Sequence, residues 1–330
     1  MADHTRIEWS DATWNPVTGC TRVSPGCEHC YIDWAPPMRI EGRHFTDPRT
    51  GERSNRIGAN MPVRLHPDRL DQPLRWRKPR RVFVNSLSDL FHDDVPDDYI
   101  ANVWAVMTLA QNHTFQVLTK RHARMRALLS SPDFWVVVGE HVSRIVGAPA
   151  QVDDVRALPN VWLGVTVEDQ QRADLRIPAL LATPAAVRFL SCEPLLGPVE
   201  LPEFCACGCG APFGPGVESI LGIDWVIVGG ESGPGARPMH LDWVRTLRDQ
   251  VVAAGVPFFF KQWGDASAWQ DRHADVWHQI YVNRMESPET ALFPREHVEK
   301  KWGPLKPLSK KAAGRELDGR TWDQYPGADS

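Results

Sequence analysis

Along the middle of the chain, short apolar runs rich in Val, Phe and Trp alternate with stretches that carry apolar residues at helical spacing. The runs are Arg81-Val-Phe-Val-Asn-Ser-Leu-Ser-Asp89, Thr114-Phe-Gln-Val-Leu-Thr-Lys-Arg121, Val161-Trp-Leu-Gly-Val-Thr-Val-Glu168, Val187-Arg-Phe-Leu-Ser-Cys-Glu193, Trp225-Val-Ile-Val-Gly-Gly-Glu-Ser232 and Val256-Pro-Phe-Phe-Phe-Lys-Gln262. Each predicts a strand. Between them, Ile100, Val103, Trp104 and Met107 predict a helix capped by Asp97 or Asp98 and running to about Ala110. A second helix is predicted after Asp169 and through Leu180, kinked or divided at Pro178. A third, from Leu241 to Ala254, places Val244, Leu247 and Val251 on one face and stops at Gly255. Strand and helix in alternation predict an α/β fold with a parallel sheet under a helical layer. Pattern alone leaves an open sheet and a barrel as alternatives.

The polar residues say where the chemistry belongs. Asn85, Lys120, Glu168, Glu193, Glu231 and Lys261 each fall at or just beyond the C-terminal end of an apolar run. That end is where parallel α/β folds build their sites. Any strand ends in something polar, so a single such residue means little; six in succession, with three Glu and two Lys, is a stronger pattern.

Two insertions break the rhythm. Residues 131–158, with Phe134-Trp-Val-Val-Val, extend a helix or cover the sheet; residues 197–223 carry Phe204-Cys-Ala-Cys-Gly-Cys-Gly210. Residues 35–81 read mostly as loop with short helical pieces, and their most basic run, Arg75-Trp-Arg-Lys-Pro-Arg-Arg81, could meet a phosphate backbone or simply be a solvated connection. After residue 263 the chain becomes aromatic and then basic. The organisation expected is one unit over 1–263 and a C-terminal extension over 264–330 that packs on it.

Composition narrows the class. The formal charge of −4 over 330 residues implies no global attraction to nucleic acid or to an anionic membrane. No apolar run reaches the ~20 residues of a membrane span, and the N-terminal residues lack the apolar core of a signal peptide. A cytoplasmic protein is expected. Seven cysteines, an odd number and clustered, suit metal ligation in a reducing compartment better than a disulfide framework.

Three of those cysteines, Cys20, Cys27 and Cys30, lie within the loop 18–31, where Gly19, Pro25 and Gly26 supply turn chemistry. Three thiolates are one short of a closed zinc site, and are the right number for a four-iron cluster with one iron left open. Cys205, Cys207 and Cys209, with Cys192 at the end of a predicted strand, could form a second zinc or iron–sulfur site. Alternating ligands on an extended chain point opposite ways, which makes that arrangement awkward.

Several segments carry a family resemblance. They are Ile7-Glu-Trp-Ser-Asp-Ala-Thr-Trp-Asn-Pro-Val-Thr-Gly-Cys20, Val84-Asn-Ser-Leu-Ser-Asp-Leu-Phe91, Phe115-Gln-Val-Leu-Thr-Lys-Arg121, Cys192-Glu-Pro-Leu-Leu-Gly-Pro198, Val228-Gly-Gly-Glu-Ser-Gly-Pro-Gly-Ala-Arg-Pro238 and Lys311-Ala-Ala-Gly-Arg-Glu-Leu-Asp-Gly319. The chain resembles a phage-associated three-cysteine-motif family of unknown function that looks like a divergent branch of the radical S-adenosylmethionine superfamily. The resemblance implies a partial (β/α) TIM-like barrel, with the cysteine loop after a first strand near Thr13 to Val17. It implies that Cys20, Cys27 and Cys30 hold a [4Fe-4S] cluster whose open iron is chelated by S-adenosylmethionine. Electrons from an external donor would then yield a 5′-deoxyadenosyl radical that abstracts hydrogen from a substrate.

Here six residues separate the first two cysteines, where the superfamily has three, and His29 stands where an aromatic residue packs on the adenine. Within that frame Lys120 or Arg121 would neutralise the methionine carboxylate, and Glu168 would accept from the ribose. Gly229 and Gly230 would let the backbone approach the ligand, with Glu231 beside them. Glu193 joins this cofactor-binding set, and Asn85, Ser88 and Asp89 stand where the superfamily has its methionine-binding Gly-Gly-Glu. The substrate class favoured is a nucleotide or nucleic acid, with a neighbouring-gene protein as a further partner.

The competing class is a zinc-stabilised nucleic-acid- or protein-binding module without catalysis, with His29 or another residue as the fourth ligand. A dinucleotide-binding fold read from Gly229-Gly-Glu-Ser-Gly233 lacks the required glycine pattern.

Overall fold

The computed structural model describes residues 5, 7–34, 45–46, 53–54, 61–150, 157–201, 222–233, 235–265 and 314–327. Seven parallel strands form its centre: β1 (Ala12–Trp14), β2 (Arg81–Val84), β3 (Thr114–Thr119), β4 (Val161–Thr166), β5 (Val187–Cys192), β6 (Trp225–Gly229) and β7 (Phe258–Gln262). They are hydrogen-bonded in sequence order from β1 to β7. Parallel neighbours require crossovers, and α-helices lie in those after β2, β3, β4 and β6. Helix α1 (Asp97–Leu109) follows β2; α2 (His122–Leu129) and α3 (Pro132–Val146) follow β3; α4 (Gln170–Leu181) follows β4; α5 (Leu241–Ala253) follows β6.

Local chemistry sets the helix ends. Asp169 caps α4 by accepting from the Arg172 amide at 3.0 Å. Pro132 opens α3, and Gly147, at φ +73°, closes it in the left-handed position that favours glycine. Two expectations change. Pro96 occupies the cap position of α1, so Asp97 sits in the first turn; α4 runs through Pro178 without a break in its assignment.

Strand side chains alternate between two cores. Val82, Val84, Val117, Leu163, Leu190, Val226, Val228, Phe258 and Phe260 join the helices in one large apolar layer. Phe83, Phe189, Ile227 and Phe259 face the other way and pack with Trp9 and Trp225 in a separate cluster. The sheet is curled into a half-barrel around this second cluster. Trp9, which precedes the first strand, lies with its ring centroid 4.7 Å from Phe83, 6.3 Å from Phe189 and 6.2 Å from Trp225, so one side chain spans β2 to β6.

Gly164 of β4 makes room for this cluster, because a Cβ there would lie 2.4 Å from the Phe189 ring. Gly164→Ala is therefore expected to overpack the interior and cost about 1–3 kcal/mol, read as a lower thermal midpoint. A midpoint equal to wild type would contradict that packing.

The C-terminal segment lies against the far edge. Residues 314–327 form a short hairpin and then run beside β7, with Phe260 donating to Trp322 and Gln324 to Phe258 along the backbone. An otherwise open strand edge is thereby covered. Asp318 ties the hairpin to Arg245 and Arg248 of α5. Tyr325 reaches back to stack under Arg81 at 4.4 Å and to donate to the Glu8 carbonyl. Among the described residues no helix is long and apolar enough to cross a membrane.

Candidate functional site

At the C-terminal end of the half-barrel a cavity of about 510 Å³ opens between the strand ends and the loop after β1. Its floor is apolar, with Trp9, Phe83 and Leu118, and its upper wall holds Cys20, Cys27 and Cys30. Asn85, Ser88, Asp89, Lys120, Arg121, Glu193, Gly230 and Glu231, singled out above, also line it, as does Lys261. Gly229 and Glu168 do not.

The cysteine loop is fastened to four strand ends. Beyond β2, the Tyr31 hydroxyl donates to the Ser86 carbonyl and the Gly19 amide donates to Leu87. Gly19 itself, at φ +93°, would place a Cβ 2.2 Å from the Pro62 carbonyl oxygen. Beyond β3, Arg121 donates to the Thr21 hydroxyl at 2.6 Å and pairs with Asp93 at 2.8 Å. Beyond β4, the Ser24 hydroxyl donates to Glu168 at 2.6 Å. Beyond β6, Arg237 joins Glu231 to the loop: it donates to Glu231, to the Pro25 carbonyl at 2.8 Å and to Glu28 at 2.9 Å.

These contacts give Glu168 and the glycine pair partners within the protein. Glu168 is fully buried and sits below the loop, beside Arg176 at 3.4 Å and Lys120 and Arg172 at 3.9 Å. Its neighbour across the contact is Gly26, where a Cβ would lie 2.7 Å from Glu168 Cγ. So placed, Glu168 is an anchor for the loop. The glycine pair makes a close contact of its own. A Cβ at Gly230 would lie 2.0 Å from the Trp263 carbonyl oxygen, and at Gly229 it would meet only the Glu193 side chain. Close approach here is between β6 and the chain after β7, and Gly230 also lines the cavity.

Asp89 is likewise a brace. Its carboxylate accepts from the Thr119 hydroxyl at 2.7 Å, the Lys120 amide at 3.0 Å and the Phe91 amide at 3.0 Å. Ser88 donates to the Val17 carbonyl at 2.9 Å. Asn85 adopts φ +59°, a conformation uncommon outside glycine that collects at functional sites.

The electrostatics centre on the thiols. Burial, then Asp89, then Cys27 and Cys30 push the Cys20 thiol up to about 12. Burial alone would lower the Lys120 ammonium, but Cys27, Glu168 and Cys30 outweigh it and hold the pKa above the ordinary lysine value. Lys120 therefore stays charged against the sulfurs. Burial and then Arg121 lower the His92 imidazole, which pairs with Thr21 at 2.8 Å.

Among the described residues no group of three or more His, Cys, Asp or Glu side chains is gathered so that it could hold a metal ion. A four-iron cube asks for something else, since each thiolate binds a different iron and the three surround a volume. The three cysteines line one cavity, which suits that demand. Two cavity-lining side chains, moreover, carry buried nitrogens without a hydrogen-bond partner, Asn85 Nδ2 and Arg121 Nε.

The second cysteine group is not assembled by what is described. Cys192 is fully buried in the apolar layer under the helices, while its neighbour Ser191 lines the cavity. Burial and then Glu168 push its thiol up to about 12. Cys205, Cys207 and Cys209 lie outside the described residues.

The family model described as a protein of unknown function, DUF5131, matches residues 4–326. The chain belongs to that family. No curated protein and no solved structure matches it. For this DUF5131 member the site therefore has to be read from its own residues. Sequence reasoning missed the loop clamps: Arg237 stands six residues beyond Glu231 with no local signature, and Ser24 and Thr21 read as ordinary turn residues.

Proposed function

We propose that this protein is a radical S-adenosylmethionine-type enzyme, with a [4Fe-4S] cluster on Cys20, Cys27 and Cys30. The observation that carries the reading is the placement of three thiols on one loop, clamped at the C-terminal mouth of a parallel half-barrel and lining a cavity of about 510 Å³. When bound, the cluster and S-adenosylmethionine would supply reductive sulfonium cleavage and hydrogen abstraction, fed by an external one-electron donor.

The chain's own residues supply the rest. Glu168 and the Glu231–Arg237 pair hold the loop in place, so the thiolates are positioned before any cofactor arrives. Lys120 offsets thiolate charge from the strand side. Arg121 adds positive charge to the same wall, where a carboxylate would be held. The apolar floor of Trp9, Phe83 and Leu118 keeps water from the inner end.

Oxygen-free protein with dithionite and S-adenosylmethionine is expected to release 5′-deoxyadenosine, and Cys30→Ala is expected to abolish the release. No release from wild type carrying its full iron complement would refute the enzymatic reading.

A further inference from the structure

Most of the strand-end polar residues are committed to the loop or to the backbone, and one pair has another arrangement. Glu193, beyond β5, and Lys261, within β7, form an ion pair at 2.5 Å. Their side chains are only 18% and 13% exposed, and both line the cavity. Ser191, two residues before Glu193, is buried and lines the same wall, and the apolar floor of Trp9, Phe83 and Leu118 lies below.

We propose that this wall is the substrate-recognition subsite, and that it takes a neutral, flat ring bearing an N–H next to a carbonyl, as in a nucleobase of the uracil or hypoxanthine type. The inference deepens the reading of the cavity as an enzyme site and rests on it for the word substrate. A paired carboxylate and ammonium offer one acceptor and one donor side by side. A cis-amide edge is their complement, accepting from Lys261 and donating to Glu193, and the pair remains neutral overall. An anionic ligand would instead compete for Lys261 and leave Glu193 buried without a counter-charge, which costs several kcal/mol. The flat apolar floor suits the face of a ring better than an extended chain.

The test is calorimetric titration of the full-length, cluster-free protein with uridine, N3-methyluridine and adenosine, without S-adenosylmethionine. Uridine is expected to bind, and N3-methyluridine, which lacks the ring N–H, at least about 10-fold more weakly. Adenosine, which has no ring carbonyl, should be weaker by a similar factor. Lys261→Met and the charge-balanced double variant Glu193→Leu/Lys261→Met, which has neither donor nor acceptor, should both lose uridine binding, the second with a thermal midpoint near wild type. Equal binding of uridine and N3-methyluridine, adenosine bound as well as uridine, or no nucleoside bound would each overturn the proposal. Because no cluster is needed, a negative result leaves the iron reading standing, and zinc in place of iron would leave a positive result standing.

Discussion

Arg237→Ala is expected to destabilise the protein by on the order of 3 kcal/mol and to free the cysteine loop. Arg237 donates to both oxygens of Glu231 and takes the Glu231-side end of the loop through Pro25 and Glu28. Glu231 is 4% exposed. Removing its partner strands a buried carboxylate, and breaking such a pair costs about 3–5 kcal/mol; the 27% exposure of the Arg237 side chain puts this case at the lower end. Arg237→Lys should recover little, because one ammonium cannot reproduce the planar fork that reaches carboxylate and carbonyl together. Arg237→Ala/Glu231→Gln should recover stability by removing the stranded charge, yet still leave the loop detached from β6. Thermal unfolding separates the two effects from iron uptake. Full iron uptake in the double variant would show that the clamp does not position the cysteines.

Gly26→Ala is expected to lift the loop from the opposite side. The added Cβ would fall 2.7 Å from Glu168 Cγ, below any normal contact. Glu168 has little room to withdraw, since Arg176, Arg172 and Lys120 stand around it. The loop must move, at a cost of about 1–3 kcal/mol. Movement would bring the Cys20 thiol toward water and relieve the burial that now pushes it up to about 12. Faster alkylation of metal-free Gly26→Ala than of metal-free wild type at pH 8 is the expected readout. Unchanged alkylation together with an unchanged midpoint would mean that the loop is not seated on Glu168.

The same two positions show where the sequence was legible and where it was not. The six strands from β2 to β7 could be read because each is a dense apolar run ended by polar residues, and the structure keeps all six in sequence order. Strand β1 is only Ala12–Trp14, too short to produce a pattern, and it had been expected from the resemblance at about Thr13 to Val17. Helix α2 went unread because its eight residues lack a side-chain cap. Strand-end position identified the residues of the site but not what each one does. Glu168 and Glu193 occupy equivalent places after their strands; burial under Gly26 makes one an anchor, and a place on the open wall leaves the other facing the cavity. That difference depends on a loop more than a hundred residues away in sequence, and no local spacing encodes it. Arg237 is the same case in reverse, a residue with an ordinary neighbourhood whose partners are brought to it by the curl of the sheet.

The account turns on what Cys20, Cys27 and Cys30 hold. The most direct measurement is iron, acid-labile sulfide and zinc per chain in anaerobically reconstituted wild type and in the Cys20/Cys27/Cys30→Ala variant. The account predicts about four irons with matching sulfide in wild type, lost in the variant. Zinc without iron in wild type, or iron retained by the variant, would contradict it.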